Sequence, residues 1–171
     1  ASASLFYLSS SDLLIENAFN HLNTAADSKV HHVEMFLEKN KELTKNLALI
    51  NNVEKLLKTD EGTEYSSLAK DVNQRLQKTL DYDEDIYEVF LLDMDGKILI
   101  TTNPEEESGD DFSKDTLFLE GKKRPFIIVS YDEEFRRNGI TISSPIDSQG
   151  EVLGVIATRT SLEPLSKITS D

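Results

Sequence analysis

The side chains able to do chemistry in these 171 residues are few. No Ser-His-Asp set, glycine-rich phosphate loop or His-Glu-x-x-His pair occurs, and glycine totals only 7, so no enzyme class has an anchor. His31 and Glu34 stand three apart, close to His32 and His21, and one side of a helix can present that pair to a metal. Two ligands do not complete a site, and exposed helix histidines are the plainer reading. Glu105, Glu106 and Glu107 with Asp110 and Asp111 offer oxygens to a hard cation, but they lack the alternating spacing of a calcium loop and read as a solvated acidic loop. Asp93 and Asp95 before Gly96 read as a turn. The remaining candidates for binding a small molecule are Lys114, Arg124, Tyr131, Thr141, Ser143 and Asp147. Lys114 and Arg124 suit an anion, whereas Tyr131 and Asp147 suit an amine or a hydroxyl. Neither a metal nor a cofactor is expected.

Composition narrows the classes further. The 18 Lys and Arg against 32 Asp and Glu give a formal charge of -14, which argues against nucleic acid or an anionic membrane surface as the main partner. Cysteine is absent, which removes disulfides and thiol chemistry and leaves the compartment open. No apolar run approaches the roughly 20 residues that a bilayer span needs. A start at Ala1 rather than at methionine suggests an excised segment, from which flanking membrane helices can have been removed.

The candidates need elements to position them, and the organising one is a hairpin over residues 86–104. Its first strand is apolar on both faces, which places it centrally in a sheet. Asp93 to Gly96 supplies the turn, and Ile98 to Thr102 the second strand. Ahead of it, residues 5–58 contain neither proline nor glycine and read as a long helix of about 50 residues, roughly 75 Å in extent. Leu8, Ile15, Leu22, Phe36, Leu43, Ile50 and Leu57 share one seven-residue register, interrupted at Lys29, while Asp12, Asn40 and Glu54 break the companion stripe. The same pattern also reads as two core helices with a kink near 25–28. Such a helix must project or pack on a second copy, so a homodimer is one expected partner. A second helix carries Tyr65, Leu68, Ala69, Val72, Leu76 and Leu80 on one face and ends near Asp81.

After the hairpin comes an excursion of about 20 residues containing a short helix with Leu117, Phe118 and Leu119, which Ser113 can cap. Excursions of that length in a compact domain tend to be functional. Strands then follow at 125–131, 140–146 and 151–158, with turns expected at Asn138-Gly139 and at 147–150, and a helix begins near Pro164. The fold class is α+β: a long N-terminal helix plus a second helix packed on a five-stranded antiparallel sheet.

Three stretches, VFLLDMDGKILITTNP at 89–104, SGDDFSKDTLFLEGKK at 108–123 and ISSPIDSQGEVLGVIATRTSLEPL at 142–165, resemble in order and spacing the Cache or PDC sensing domains of prokaryotic membrane receptors. The likeness covers about half the chain. It implies a PAS-like sheet and a single sensor domain over 1–171, with a helical part at 1–81, a sheet part at 86–160 and the start of an exit helix at 161–171. It further implies an extracytoplasmic small-molecule sensor without catalysis, set between transmembrane helices and coupled to a histidine kinase or, alternatively, a chemoreceptor output. A helical dimerisation or interaction module is the competing reading. Amino-acid-binding members carry a Tyr, an Arg and a Trp-Tyr pair around the short helix, where this chain has Lys114, Asp115, Leu117 and Phe118. That signature is missing, so the resemblance implies no ligand class.

Overall fold

A computed structural model of the chain describes residues 6–8, 27–105, 109–133 and 135–169. Its elements in chain order are β1 (Phe6–Leu8), α1 (Asp27–Ala48), α2 (Asn51–Leu57), α3 (Thr63–Tyr82), β2 (Ile86–Asp93), β3 (Ile98–Thr101), α4 (Thr116–Gly121), β4 (Phe126–Asp132), β5 (Arg137–Ser148), β6 (Glu151–Ser161) and α5 (Glu163–Thr169). The strands form one sheet in the order β1-β4-β5-β6-β2-β3, and every neighbouring pair is antiparallel. The five expected strands are present. The first strand of the hairpin, β2, lies between β6 and the edge strand β3, and its apolar residues are covered on both faces, Val89 and Leu91 on the side of α3, Phe90 and Leu92 on the side of α4.

The expected long helix is corrected in two places. Phe6–Leu8 is a strand, pairing with β4 along Phe6↔Val129 and Leu8↔Ile127, because the edge of β4 would otherwise present unpaired backbone and this aromatic-rich tripeptide suits a strand. Residues 9–26, which carry Ile15 and Leu22 of the expected register, Asp12 of its companion stripe, His21 and much of the alternative kink, lie outside the described residues. Farther on, the helix breaks at Leu49-Ile50, where Ile50 turns to φ -65 and ψ 118. The reason is phasing. Helix α1 buries Val33, Leu37, Asn40, Thr44 and Leu47, and an unbroken continuation would next bury Asn51 and Glu54 or Lys55. The break re-phases the chain so that Val53 and Leu56 go inside instead, both with no exposed surface. Phe36, Leu43, Ile50 and Leu57, the expected seam, flank the buried stripe and are half-buried.

Helices α1, α2 and α3 cover one face of the sheet. Val89, Leu91, Ile100, Ile146 and Ile156 meet Leu68, Val72 and Leu76 of α3 there, and Ile127, Ile140 and Ile142 meet Val33 and Leu37 of α1. Each fully buried aliphatic side chain contributes about 1.5–3 kcal/mol. Within this apolar interface α1 carries a polar clasp: Thr44 Oγ1 and Thr158 Oγ1 are 2.6 Å apart, and Thr160 Oγ1 donates to Asn40 Oδ1 at 3.5 Å. Asn40, the residue that breaks the sequence stripe, is thus a buried contact to β6.

The other face is covered by α4 and the excursion. Leu117 and Phe118 pack on Phe90, Leu92, Phe126, Val155 and Ala157. Asp115, rather than Ser113, caps α4, its Oδ1 accepting the Leu117 amide at 2.9 Å. A second turn also differs from expectation. Asn138 and Gly139 lie inside β5, opposite Tyr131 and Ser130, and the reversal falls before them, at a loop where Arg136 has φ 51. Gly139 is there for room, since a Cβ would lie 2.4 Å from the Tyr87 hydroxyl.

Candidate functional site

Strand register builds the floor of a cavity of about 470 Å³ on the face opposite α1. Glu88 pairs with Arg159, Arg159 with Thr141, and Thr141 with Ile128, one row running across β2, β6, β5 and β4. A register shift between Ile86 and Glu88 lets both Ile86 and Val89 enter the helix-side core, while Glu88 meets Arg159 beside Phe90. Arg159 Nη1 stands 2.7 Å from Glu88 Oε2 and 3.9 Å from Asp132 Oδ2, and its guanidinium lies 5.1 Å from the centre of the Phe90 ring. The Glu88 side chain is 0% exposed and that of Arg159 17%. A strong, desolvated ion pair therefore lies against the cavity.

The roof is the excursion, and the hairpin turn anchors it. The Phe112 amide donates to Gly96 O at 2.7 Å and Ile98 N to Asp110 O at 2.9 Å, so residues 109–112 run back alongside the turn. Gly96 has φ 81, and a Cβ on it would lie 2.6 Å from Ser113 Cα, so only glycine permits this return. The loop then carries Lys114, Asp115 and Thr116 along the rim, while Phe112 stacks obliquely on Phe90 with ring centres 5.4 Å apart. Gly121 brings α4 down on the sheet, where Ser143 Oγ donates to Leu117 O at 2.9 Å.

Of the six candidates from the sequence, Lys114, Tyr131 and Thr141 line this cavity. The other three sit elsewhere. Ser143 is buried beneath α4 and engaged with its backbone, Arg124 is exposed and 3.9 Å from Glu120, and Asp147 accepts the Gly150 amide in the β5–β6 turn at 2.9 Å. They are therefore not placed together with the first three: Ser143 shares a face with Thr141 but is covered by α4, Arg124 lies on the connection after α4, and Asp147 belongs to the β5–β6 turn. Arg159, Asp132 and Glu133 also line the cavity. Sequence reasoning missed them, although one signal was present: Arg159 interrupts an otherwise small or apolar strand, and an arginine in that setting needs a partner.

Asp132 organises the open end. Its Oδ1 accepts the Phe135 amide at 3.1 Å, and Tyr87 OH donates to Oδ2 at 3.4 Å. Burial pushes the Tyr87 phenol well above its ordinary range, and the Asp132 charge pushes it the same way. At the rim, the hydrogen bonds from Ser113 hold the Asp111 carboxyl below its ordinary value, with Lys97 and Lys114 adding to the effect. The lining thus sets two cations, Lys114 and Arg159, against three carboxylates, Asp115, Asp132 and Glu133, with Glu88 behind. Among the described residues no group of three or more histidine or carboxylate side chains could hold a metal, and His31 and Glu34 form only an exposed 3.9 Å pair. A larger hollow of about 900 Å³ lies on the helix side between α1 and the end of α3, but Lys39 bridges to Asp83 there at 3.1 Å and no strand residue lines it.

No family model matches the sequence, and no curated protein matches it. Solved structures do. The sensor domain of the histidine kinase DctB from V. cholerae superimposes with a TM-score of 0.72 at 15% identity, over 94% of this chain and 60% of that one. The sensory domain of the Campylobacter jejuni chemoreceptor Tlp3, with isoleucine bound, gives 0.66 at 19% identity over 94% and 64%. The ligand-binding domain of the Pseudomonas aeruginosa amino acid chemoreceptor PctC, in complex with GABA, gives 0.64 at 18% over 88% and 65%. The chain therefore has the fold of these receptor sensor domains, the PAS-like arrangement that its motifs resemble, and it spans a little under two thirds of their length.

Proposed function

We propose that the chain is the small-molecule-sensing part of a transmembrane signal receptor, a sensor histidine kinase in the first reading and a chemoreceptor in the alternative. It sits outside the cytoplasm, between membrane helices of a longer protein, and residues 1–171 act as one sensing unit. The observation that carries the reading is the cavity between the sheet and the excursion, where a buried ion pair meets polar side chains from three separate segments. The fold shared with the DctB and Tlp3 domains supports it. No catalytic step is involved.

A ligand can signal only through unequal affinity for two states. Strand β6 is suited to feel one. It presents Arg159 to the cavity, and on its other face Thr158 and Thr160 bond to α1. Leu165 of α5 is buried with Val33 and Leu37 of α1, so the start of the exit helix rests on the same element. The test is a thermal-shift screen against a broad metabolite library, repeated on Thr141→Trp, which fills the cavity floor. A compound that raises Tm in the parent and not in the variant is expected, and a silent library would sink the reading.

The competing reading, a helical dimerisation module, has one observation in its favour. Met35 on α1 and Leu49 just past its end are 58% and 75% exposed, two large apolar side chains left uncovered along this segment. If that segment joins a second copy, Met35→Glu with Leu49→Glu halves the mass measured by light scattering. An unchanged mass removes the dimer.

A further inference from the structure

We infer that the cavity takes an organic cation, an amine without a free carboxylate, and that Glu88 determines this preference by engaging Arg159 from below; the inference rests on the sensing reading above. The reasoning begins with the arginine, the group that would ordinarily receive a ligand carboxylate. Here its charge is already matched. Glu88 Oε2 lies 2.7 Å from Arg159 Nη1, one carboxylate to one guanidinium. A ligand carboxylate would have to share the single guanidinium charge with Glu88, whose side chain is 0% exposed, and any displacement of the guanidinium toward the ligand would weaken the counter-charge of a buried carboxylate. The register shift in β2 places Glu88 beside Arg159, so the arrangement belongs to the fold and not to a surface rotamer.

What is left facing the cavity is negative. Asp132 and Glu133 stand together where β4 ends, with the Tyr131 and Phe112 rings also in the lining. Carboxylates beside aromatic rings suit a cation, which gains from both the charge and the ring faces. Lys114 at the rim does not reverse this, because it is exposed and its chain neighbour Asp115 lines the same cavity with the opposite charge. At a distance, the formal charge of -14 draws cations toward the molecule and repels anions.

The experiment is calorimetric titration of the whole chain with three cations (putrescine, spermidine and choline), with succinate as the dianion and GABA as the zwitterion. At least one cation is expected to bind roughly tenfold or more tightly than succinate or GABA, and to weaken when salt is raised from about 50 to about 200 mM. Glu133→Gln, an exposed substitution that leaves the core intact, is expected to weaken that cation by about threefold or more. Glu88→Gln keeps the side-chain shape and releases Arg159, so succinate should gain about tenfold while the cation loses affinity. Succinate or GABA binding the parent chain more tightly than all three cations overturns the cation assignment and leaves the sensing reading standing. Absence of binding by all three cations also overturns it, and the sensing reading falls only if the metabolite screen is silent as well. Glu88→Gln leaving the order of preference unchanged removes Glu88 from its role.

Discussion

Glu88 and Arg159 illustrate how one residue can be costly alone and well tolerated in company. Truncating Glu88 removes the 2.7 Å partner of a guanidinium that is only 17% exposed, while Asp132 stands 3.9 Å away. Glu88→Ala is therefore expected to lose about 3–5 kcal/mol in urea denaturation, whereas Glu88→Leu with Arg159→Met, which removes both charges, should recover most of that loss. A loss under about 1 kcal/mol in the single variant would mean that the pair is solvated like a surface ion pair. Tyr87 gives a second expectation. Burial first, and the Asp132 charge second, raise its pKa, so the fold favours the neutral phenol. The sign follows: this stability is fully present below the unfolded value of about 10 and drains away as pH climbs above it. Tyr87→Phe should flatten the fall in stability between about pH 10 and pH 11.5, read by denaturation at each pH. An identical fall in both proteins would show that the phenol does not titrate differently in the fold.

The elements show how packing overrules propensity. Nothing local ends α1 at Ala48, and an isolated peptide over 27–57 has every reason to continue. The chain breaks because the sheet accepts Val53 and Leu56 and would have to desolvate Asn51 and Glu54 or Lys55. The α1–β6 clasp carries a testable energy. Thr44 and Thr158 are fully buried and bonded to each other, so Thr44→Val leaves the Thr158 hydroxyl seeking a partner and should cost about 1–3 kcal/mol. The double variant with Thr158→Val should cost less than the sum of the singles, and strict additivity in the double-mutant cycle would mean that the contact has no coupling energy. Gly96 is the corresponding point on the other face. Gly96→Ala forces a Cβ against Ser113 backbone at positive φ, so a loss of about 1–3 kcal/mol is expected together with faster hydrogen exchange over 109–113. Unchanged exchange there would detach the turn from the roof of the cavity.

At the scale of the whole molecule, the sheet separates a helix side, where α5 is held, from a cavity side. Leu165, 1% exposed, ties α5 to Val33 and Leu37 of α1. Leu165→Ala should cost about 2–5 kcal/mol and reduce the helix signal in circular dichroism. A loss of stability with the helix signal intact would show that α5 holds itself without α1. The alternation of Ile140, Ile142 and Ser144 against Thr141 and Ser143, the Asp-x-x-Gly turn and the face of α3 were legible in the sequence, because each is a local pattern of period two, four residues or 3.6. Composition, order of elements and these periodicities together determined an α+β fold containing the β2–β3 hairpin, which the tertiary structure sets at one end of the sheet. They also singled out Lys114, Tyr131 and Thr141, which the chain brings to one cavity. Only the tertiary structure decided which strand lies beside which, and so set Glu88 against Arg159 across 71 residues and left Arg124, Ser143 and Asp147 apart. The physical reason is that register between distant strands, and the re-phasing of α1, are settled by what the sheet can bury. Neither leaves a short-range mark in the chain.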